Sequence, residues 1–287
     1  MSEKRLGIIG GSGFYGIADI ENLRETSIET FFGKPSAPIL TGEFEGNPIA
    51  FLNRHGKGHT LSPSSINYRA NILALKKLNV NHIISISACG SLRDDYQPGD
   101  IVIPDQLYDH TTTRPRSFFN NGLVAHINVA DPFCRQLSTL AGVCAKEVQA
   151  NVHTNGTSIT IEGPRFSTRA ESNTYRAWGM SIIGMTTAPE AFLAREAEIC
   201  YTVVAHVTDY DVWHKSEAPV SVPMVTEVLK QNLDSIQKVL KKLIRRVDCE
   251  EDCACRHALH DAIISAKNHI STDIREQLAP LLGNYFS

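Results

Sequence analysis

Short apolar runs rich in Ile and Val alternate along the chain with longer stretches of helical periodicity. The runs predict strands over residues 6–10, 39–44, 48–52, 82–87, 100–103, 157–161, 181–185 and 201–207. Two runs, Ile83-Ile84-Ser85-Ile86 and Val203-Val204-Ala205, lack the polar–apolar alternation of a half-exposed strand, which predicts cover on both faces. Three segments carry a helical period. Residues 66–79 place Ile66, Ala70, Leu73 and Leu78 on one side, and residues 189–198 open on a proline and an acid, a favoured helix start. The longest stripe, over residues 223–247, runs from Val225 and Leu229 through Leu240 and Leu243 to Val247. Ser221 is placed to cap that helix, and Lys241, Lys242, Arg245 and Arg246 suit its C-terminal dipole. Strands interspersed with helices throughout predict an α/β fold with one central sheet. No Pro/Gly/Ser linker divides the chain, so one domain is expected over residues 1–248, with a C-terminal helical extension over 249–287.

Composition narrows the function classes. Of 287 residues, 42% are hydrophobic and 21% charged, which suits a globular core. The net charge of -3 gives no basic excess for nucleic acid or an anionic membrane. The four cations on the last long helix flank apolar positions and read as a solvated helix end rather than a nucleic-acid patch. No apolar stretch approaches the length of a spanning helix, and the apolar run near the N-terminus is too short for a signal peptide, so a cytoplasmic address is expected.

The strand at 6–10 leads into Gly11-Ser12-Gly13-Phe14-Tyr15-Gly16, a G-x-G-x-x-G match. A dinucleotide site wants a helix there and an acid about 20 residues on. Residues 16–20 read poorly as a helix, and Thr30 to Pro35 reads as a loop. A small anion held by converging backbone N–H groups and the Ser12 hydroxyl fits better than NAD. Other strand ends deliver matching groups: Arg54-His55-Gly56, with a planar guanidinium fork and a further donor, Ser87-Ala88-Cys89-Gly90-Ser91, and Thr186-Thr187. Ligands of open α/β sheets bind at such carboxyl ends. The last strand ends in Asp209 and Asp211, which i, i+2 spacing would turn to one side. A metal pair, an exposed turn and recognition of a nitrogen heterocycle all fit two such carboxylates. In the last case their proximity raises one pKa, so that one donates while the other accepts.

Taken in order, Gly10-Gly11-Ser12-Gly13, Arg54-His55-Gly56, His59-Thr60, Asn67-Tyr68-Arg69-Ala70-Asn71, Ser87-Ala88-Cys89-Gly90-Ser91-Leu92, Pro98-Gly99-Asp100, Ile161-Glu162-Gly163-Pro164-Arg165-Phe166-Ser167, Met185-Thr186 and Thr208-Asp209-Tyr210-Asp211 closely resemble the 5′-methylthioadenosine phosphorylases of the purine nucleoside phosphorylase family, over roughly residues 6–245. The resemblance implies a mixed sheet, a homotrimer, small-molecule substrates, and no metal or organic cofactor, with inorganic phosphate as co-substrate. It implies that Ser12, Arg54, His55, Ser87, Ala88 and Thr186 hold phosphate. Phe166 would pack on the base and Met185 under the ribose. Asp209, the catalytic acid, would face N7, and Asp211 the 6-amino region. Ser167 stands where members preferring 6-oxopurines have Glu. Val222 and Val225 resemble the wall of the methylthio pocket, interrupted by the polar Thr226, and His126 resembles a residue lent by a neighbouring subunit.

Seven cysteines remain to be placed. Cys89 falls in a phosphate-site motif, and Cys134, Cys144 and Cys200 read as small core residues. Cys249, Cys253 and Cys255 crowd together near His257 and His260, which leaves zinc, free thiols and disulfides open. Some archaeal members of the resembled family carry a similar Cys-x-Cys and bridge their termini. The extension bearing this trio could close over the pocket as a lid.

Overall fold

The computed structural model describes residues 4–14, 16, 19–215, 220–283 and 285–286. Tyr15, Ile17 and Ala18 of the glycine-rich segment, and the last residue of the extension, lie outside them. In chain order the strands and helices are β1 (Arg5–Gly10), β2 (Glu21–Thr26), β3 (Ile39–Phe44), β4 (Asn47–Asn53), α1 (Tyr68–Lys77), β5 (Val80–Ser91), β6 (Ile101–Val102), β7 (Gln106–His110), α2 (Arg135–Glu147), β8 (Val152–His153), β9 (Thr157–Ile161), α3 (Arg169–Ala177), β10 (Ile182–Gly184), α4 (Thr187–Glu196), β11 (Cys200–Asp209), α5 (Val222–Arg246), α6 (Thr272–Gln277) and α7 (Ala279–Leu282).

β5 is the axis of a mixed sheet in the order β2-β3-β4-β1-β5-β10-β9-β7, with β11 on β5 and β6, and β6 on β8. β1 and β11 run parallel to β5, and β10 runs antiparallel to it. Both faces are covered, as the unbroken Ile/Val runs predict. Ile83 and Val203 join one apolar cluster with α1 and α4 residues such as Leu73 and Leu193, while Ile84 and Val204 join the other with α2 and α5 residues such as Leu137 and Leu240. Beyond Ile86, β5 outruns its pairing with β1, and β10 takes over that edge only at Gly90 and Ser91. The backbone of Ser87 to Cys89 thus faces a gap between two strand partners, and this gap positions the site.

The structure corrects several sequence expectations. Asn67, not Ile66, starts the first helix, its side chain accepting from Ala70 N–H. Ser221 makes no side-chain cap for α5; its carbonyl accepts from Val225 N–H instead. β2 follows the glycine-rich segment and pairs antiparallel with β3, so β1 does not feed the helix of a dinucleotide fold. β2 was missed because it is mostly exposed, with little apolar pattern to read. α3 carried a legible start in Thr168 and Glu171, which form a reciprocal capping box. The cations at the end of α5 are ion-paired with Asp19, Glu45 and Glu147, as a solvated face requires. No helix among the described residues is long and apolar enough to cross a membrane.

The extension docks at the opposite end of the sheet from the gap. Cys249 O accepts from Asn81 Nδ2 beside the start of β5, while Leu259 N–H and Tyr285 Oη donate to Glu198 just before β11.

Candidate active site

A cavity of about 870 Å³ opens at the gap, within the range that holds a nucleoside-sized ligand. Ser12, Arg54, His55, Ser87, Ala88, Phe166, Ser167, Met185, Thr186, Asp209, Asp211, Val222, Val225 and Thr226 all line it. The ends of β1, β4, β5, β10 and β11 thus bring together groups far apart in sequence. His126 does not line it; its N–H donates to Ala262 O in the extension. No described residue beyond Leu233 lines it either, so within its own chain the extension does not serve as the expected lid.

At the phosphate end, Arg54 is almost fully buried and its fork is spent on the protein. Nε and Nη2 donate to Glu190 at 2.7 and 2.9 Å, Nη2 also to Ser85 Oγ, and Nη1 to Ile86 O at 3.3 Å. Among the described residues four of five guanidinium hydrogens are engaged, which leaves one on Nη1 for a ligand. The planar fork that the sequence offers to an anion is thus turned to Glu190, and toward the cavity Arg54 presents its charge with that one donor. Glu190, from α4, is the partner that the sequence reading missed. Its position after Pro189 was legible only as a dipole-stabilising acid, yet it is 0% exposed and also accepts from Tyr201 Oη. Gly11 makes room for this arrangement: a Cβ there would lie 2.7 Å from Arg54 Nη1 and 2.5 Å from Ile86 O.

His55 Nδ1 lies 2.9 Å from Leu61 O, so Nδ1 carries the hydrogen and Nε2 is left as an acceptor. Burial first, and Arg54 second, push the imidazole down to about 4. The neutral ring thus offers the cavity an acceptor, where the sequence reading took His55 as a further donor. Ser87 Oγ is buried with no hydrogen-bond partner among the described residues.

At the other end, Asp209 and Asp211 converge through a turn rather than through strand alternation. β11 stops at Asp209, Asp211 takes φ +51°, and its N–H donates to Asp209 Oδ1 at 2.8 Å. Thr208 Oγ1 lies 2.6 Å from Asp209 Oδ2 and 3.2 Å from Cys89 O. One hydroxyl hydrogen cannot serve both acceptors. Thr208 donates to the carboxylate while Asp209 is ionised, and to Cys89 O once Asp209 is protonated and donates to Thr208. Burial lifts the Asp209 carboxyl to about 6, with the Asp211 charge adding to it and the Thr208 and Asp211 hydrogen bonds opposing. Gly90 leaves the space, since a Cβ there would meet Asp209 Oδ1 at 2.8 Å. Burial also raises Asp211, opposed by the nearby Ser172 and Ser167 hydroxyls. Even so, Asp211 Oδ2, Ser167 Oγ and Ser172 Oγ are all buried without a hydrogen-bonded partner among the described residues. Buried orphan groups of this kind call for a ligand's polar edge.

Phe166 is 37% exposed, an open aromatic face at the cavity. Arg114, also missed from sequence, ties the two loops that carry Phe166 and Thr186: it donates to Glu162 O at 2.6 Å, Met185 O at 2.6 Å and Ala188 O at 2.9 Å. Thr226 Oγ1 donates to Val222 O, so its hydroxyl is satisfied within α5.

The family model described as "Phosphorylase superfamily" matches residues 5–245. An S-methyl-5′-thioadenosine phosphorylase of Geobacter sulfurreducens is 50% identical over 99% of this chain and 99% of its own. A crystal structure of a methylthioadenosine phosphorylase from an antarctic soil metagenomic library superposes with a TM-score of 0.92 at 43% identity, covering 97% of this chain and 99% of that one. The methylthioadenosine phosphorylase of Schistosoma mansoni in complex with adenine gives 0.81 at 33% identity, covering 98% of each chain.

Proposed function

The chain belongs to the phosphorylase superfamily, and we propose that its cavity carries out the phosphorolysis of 5′-methylthioadenosine. It is a pentosyltransferase of purine and methionine salvage: phosphate attacks C1′, adenine leaves, and 5-methylthioribose 1-phosphate forms. The observation that carries the reading is the pairing of two unfilled polar ends in one cavity, Ser87 by Arg54 at one and Ser167 with Asp211 at the other.

Inorganic phosphate is the co-substrate. Ser12, Ser87, the Ala88 backbone, Thr186 and the free Nη1 hydrogen of Arg54 hold it beside the sugar, while neutral His55 Nε2 accepts a hydrogen bond from its hydroxyl. Fixing the anion there serves both attack and stabilisation of the oxocarbenium-like sugar. Phe166 stacks on adenine, Met185 underlies the ribose, and Val222 and Val225 wall the methylthio group. Asp211 and Ser167 receive the amino edge. Asp209, whose hold on a proton burial strengthens, gives that proton to N7 as the glycosidic bond breaks, so the base leaves neutral. No step calls for an organic cofactor. The catalytic unit is residues 1–248, in keeping with a family match that ends at 245. We place the enzyme in the cytoplasm as a homotrimer in which His126 reaches a neighbour's methylthio pocket.

Adenine release from methylthioadenosine, followed with and without phosphate, tests the assignment. Release only with phosphate is expected. Release in its absence would make the protein a hydrolase, and release from neither condition would remove the assignment.

A further inference from the structure

Four cysteines from three separate parts of the chain meet at one point. Cys134 precedes α2, Cys200 begins β11, and Cys253 and Cys255 come from the extension. All four Sγ atoms lie within 4.8 Å of one another, and Cys134 and Cys253 stand 3.6 Å apart. Sulfurs bound at about 2.3 Å to a tetrahedral ion are about 3.8 Å apart, whereas a disulfide brings two to about 2.0 Å. The observed spacing therefore suits four ligands around one centre. Cys134, Cys200 and Cys255 are buried and Cys253 half-buried, so water has little access.

We propose that Cys134, Cys200, Cys253 and Cys255 form a structural tetrathiolate site for a single zinc ion. Four soft thiolates in a closed, tetrahedral set favour zinc over hard divalent cations, which seek oxygen ligands. Binding displaces the thiol protons to solvent. Arg195 lies close enough to Cys255 to offset part of the negative charge of the filled site.

The role is structural because of where the site sits. Cys200 and Asp209 are the two ends of β11, nine residues apart, or roughly 30 Å along a strand. The ion would clamp the extension to α2 and β11, where backbone contacts already bring Cys134 N–H to Tyr201 O at 2.8 Å. This corrects the sequence grouping. Cys249 is not among the four, and His257 and His260 instead pair with Asp252 and Asp261 at the surface. Cys134 and Cys200, read as plain core residues, supply half of the ligands.

The test is a titration of the reduced, metal-free, full-length chain with cobalt(II) and then zinc(II). One equivalent of cobalt per chain should give the visible bands and thiolate charge-transfer absorption of a tetrahedral thiolate complex, and one equivalent of zinc should abolish them. Cys255→Ser should weaken binding at least about tenfold, while Cys249→Ser should leave it unchanged. Independently of any variant, the zinc-loaded wild-type chain should release about one zinc ion per chain when a mercurial reagent titrates its thiols. Absence of a saturable cobalt spectrum in the reduced protein would overturn the proposal. So would finding, in the protein as purified, two bridges among these four residues, leaving three free thiols on denaturation without reductant.

Discussion

Replacing Asp209 with Asn should stabilise the protein above about pH 6 while slowing its chemistry. Burial holds the Asp209 carboxyl at about 6, against an ordinary 3.8. The value is raised in the folded state, so the group favours folding fully below its unfolded value, and that contribution is lost as pH rises through about 6. A shift of about two units corresponds to about 3 kcal/mol by about pH 8, falling to roughly 0.5 kcal/mol by about pH 4. Asparagine mimics the protonated acid. Its Oδ1 can accept from Asp211 N–H, and its Nδ2 can donate to Thr208 Oγ1, which remains free to donate to Cys89 O. The variant therefore sheds the buried charge without orphaning a partner. At roughly 2 °C per kcal/mol for a chain of this size, Tm should rise by about 6 °C at about pH 8 and barely change near pH 4. Calorimetry of both proteins across that range, at one protein concentration and without ligand, reads this directly. The amide can still donate to N7 but cannot surrender a proton, so kcat should fall about 100-fold or more. A Tm difference that does not vary with pH would refute the buried, proton-holding carboxyl, and an unchanged kcat would refute its role as the acid.

Arg54→Ala should cost about 3–5 kcal/mol, since it leaves Glu190 charged and buried without its partner; urea unfolding measures this. Arg54→Met combined with Glu190→Met should recover most of that loss without recovering the KM for phosphate, and recovery of both would make the arginine purely structural. Ser87→Ala should leave stability nearly unchanged, because the hydroxyl has no partner among the described residues, and should raise the phosphate KM about tenfold. Phosphate binding at about pH 8 should take up no proton, because that pH lies far above the His55 value of about 4, so the ring stays neutral and accepts from the phosphate's own hydroxyl. Calorimetric titration in buffers of different ionisation enthalpy should return one enthalpy, and a buffer-dependent value would rule out the neutral ring.

The parts legible from sequence share a local cause. β3 and β9 fall on the predicted residues because Ile and Thr in short runs favour a pleated strand whatever surrounds them. The anion-binding end was legible as small and cationic residues recurring at strand ends, and the purine end as two nearby carboxylates. β2 and β7 escaped because polar, largely exposed strands carry no such pattern. Glu190 escaped for a different reason. An acid after a helix-starting proline has a sufficient local explanation, and its burial against Arg54 depends on a residue 136 positions away.

The sequence by itself determined which segments become strands and helices, and which residue types could handle an anion and a purine. Those properties follow from side-chain shape, periodicity and local backbone preference. Only the tertiary structure decided how charge and hydrogen bonds are shared: that the Arg54 fork is taken by Glu190, that His55 presents an acceptor, that Asp209 holds its proton up to about pH 6, and that Cys134 and Cys200 meet Cys253 and Cys255. Desolvation and pairing depend on distances between atoms that the chain brings together only by folding, and these set protonation and metal affinity. Residue identity supplies the groups, while burial and proximity fix the state in which each one acts.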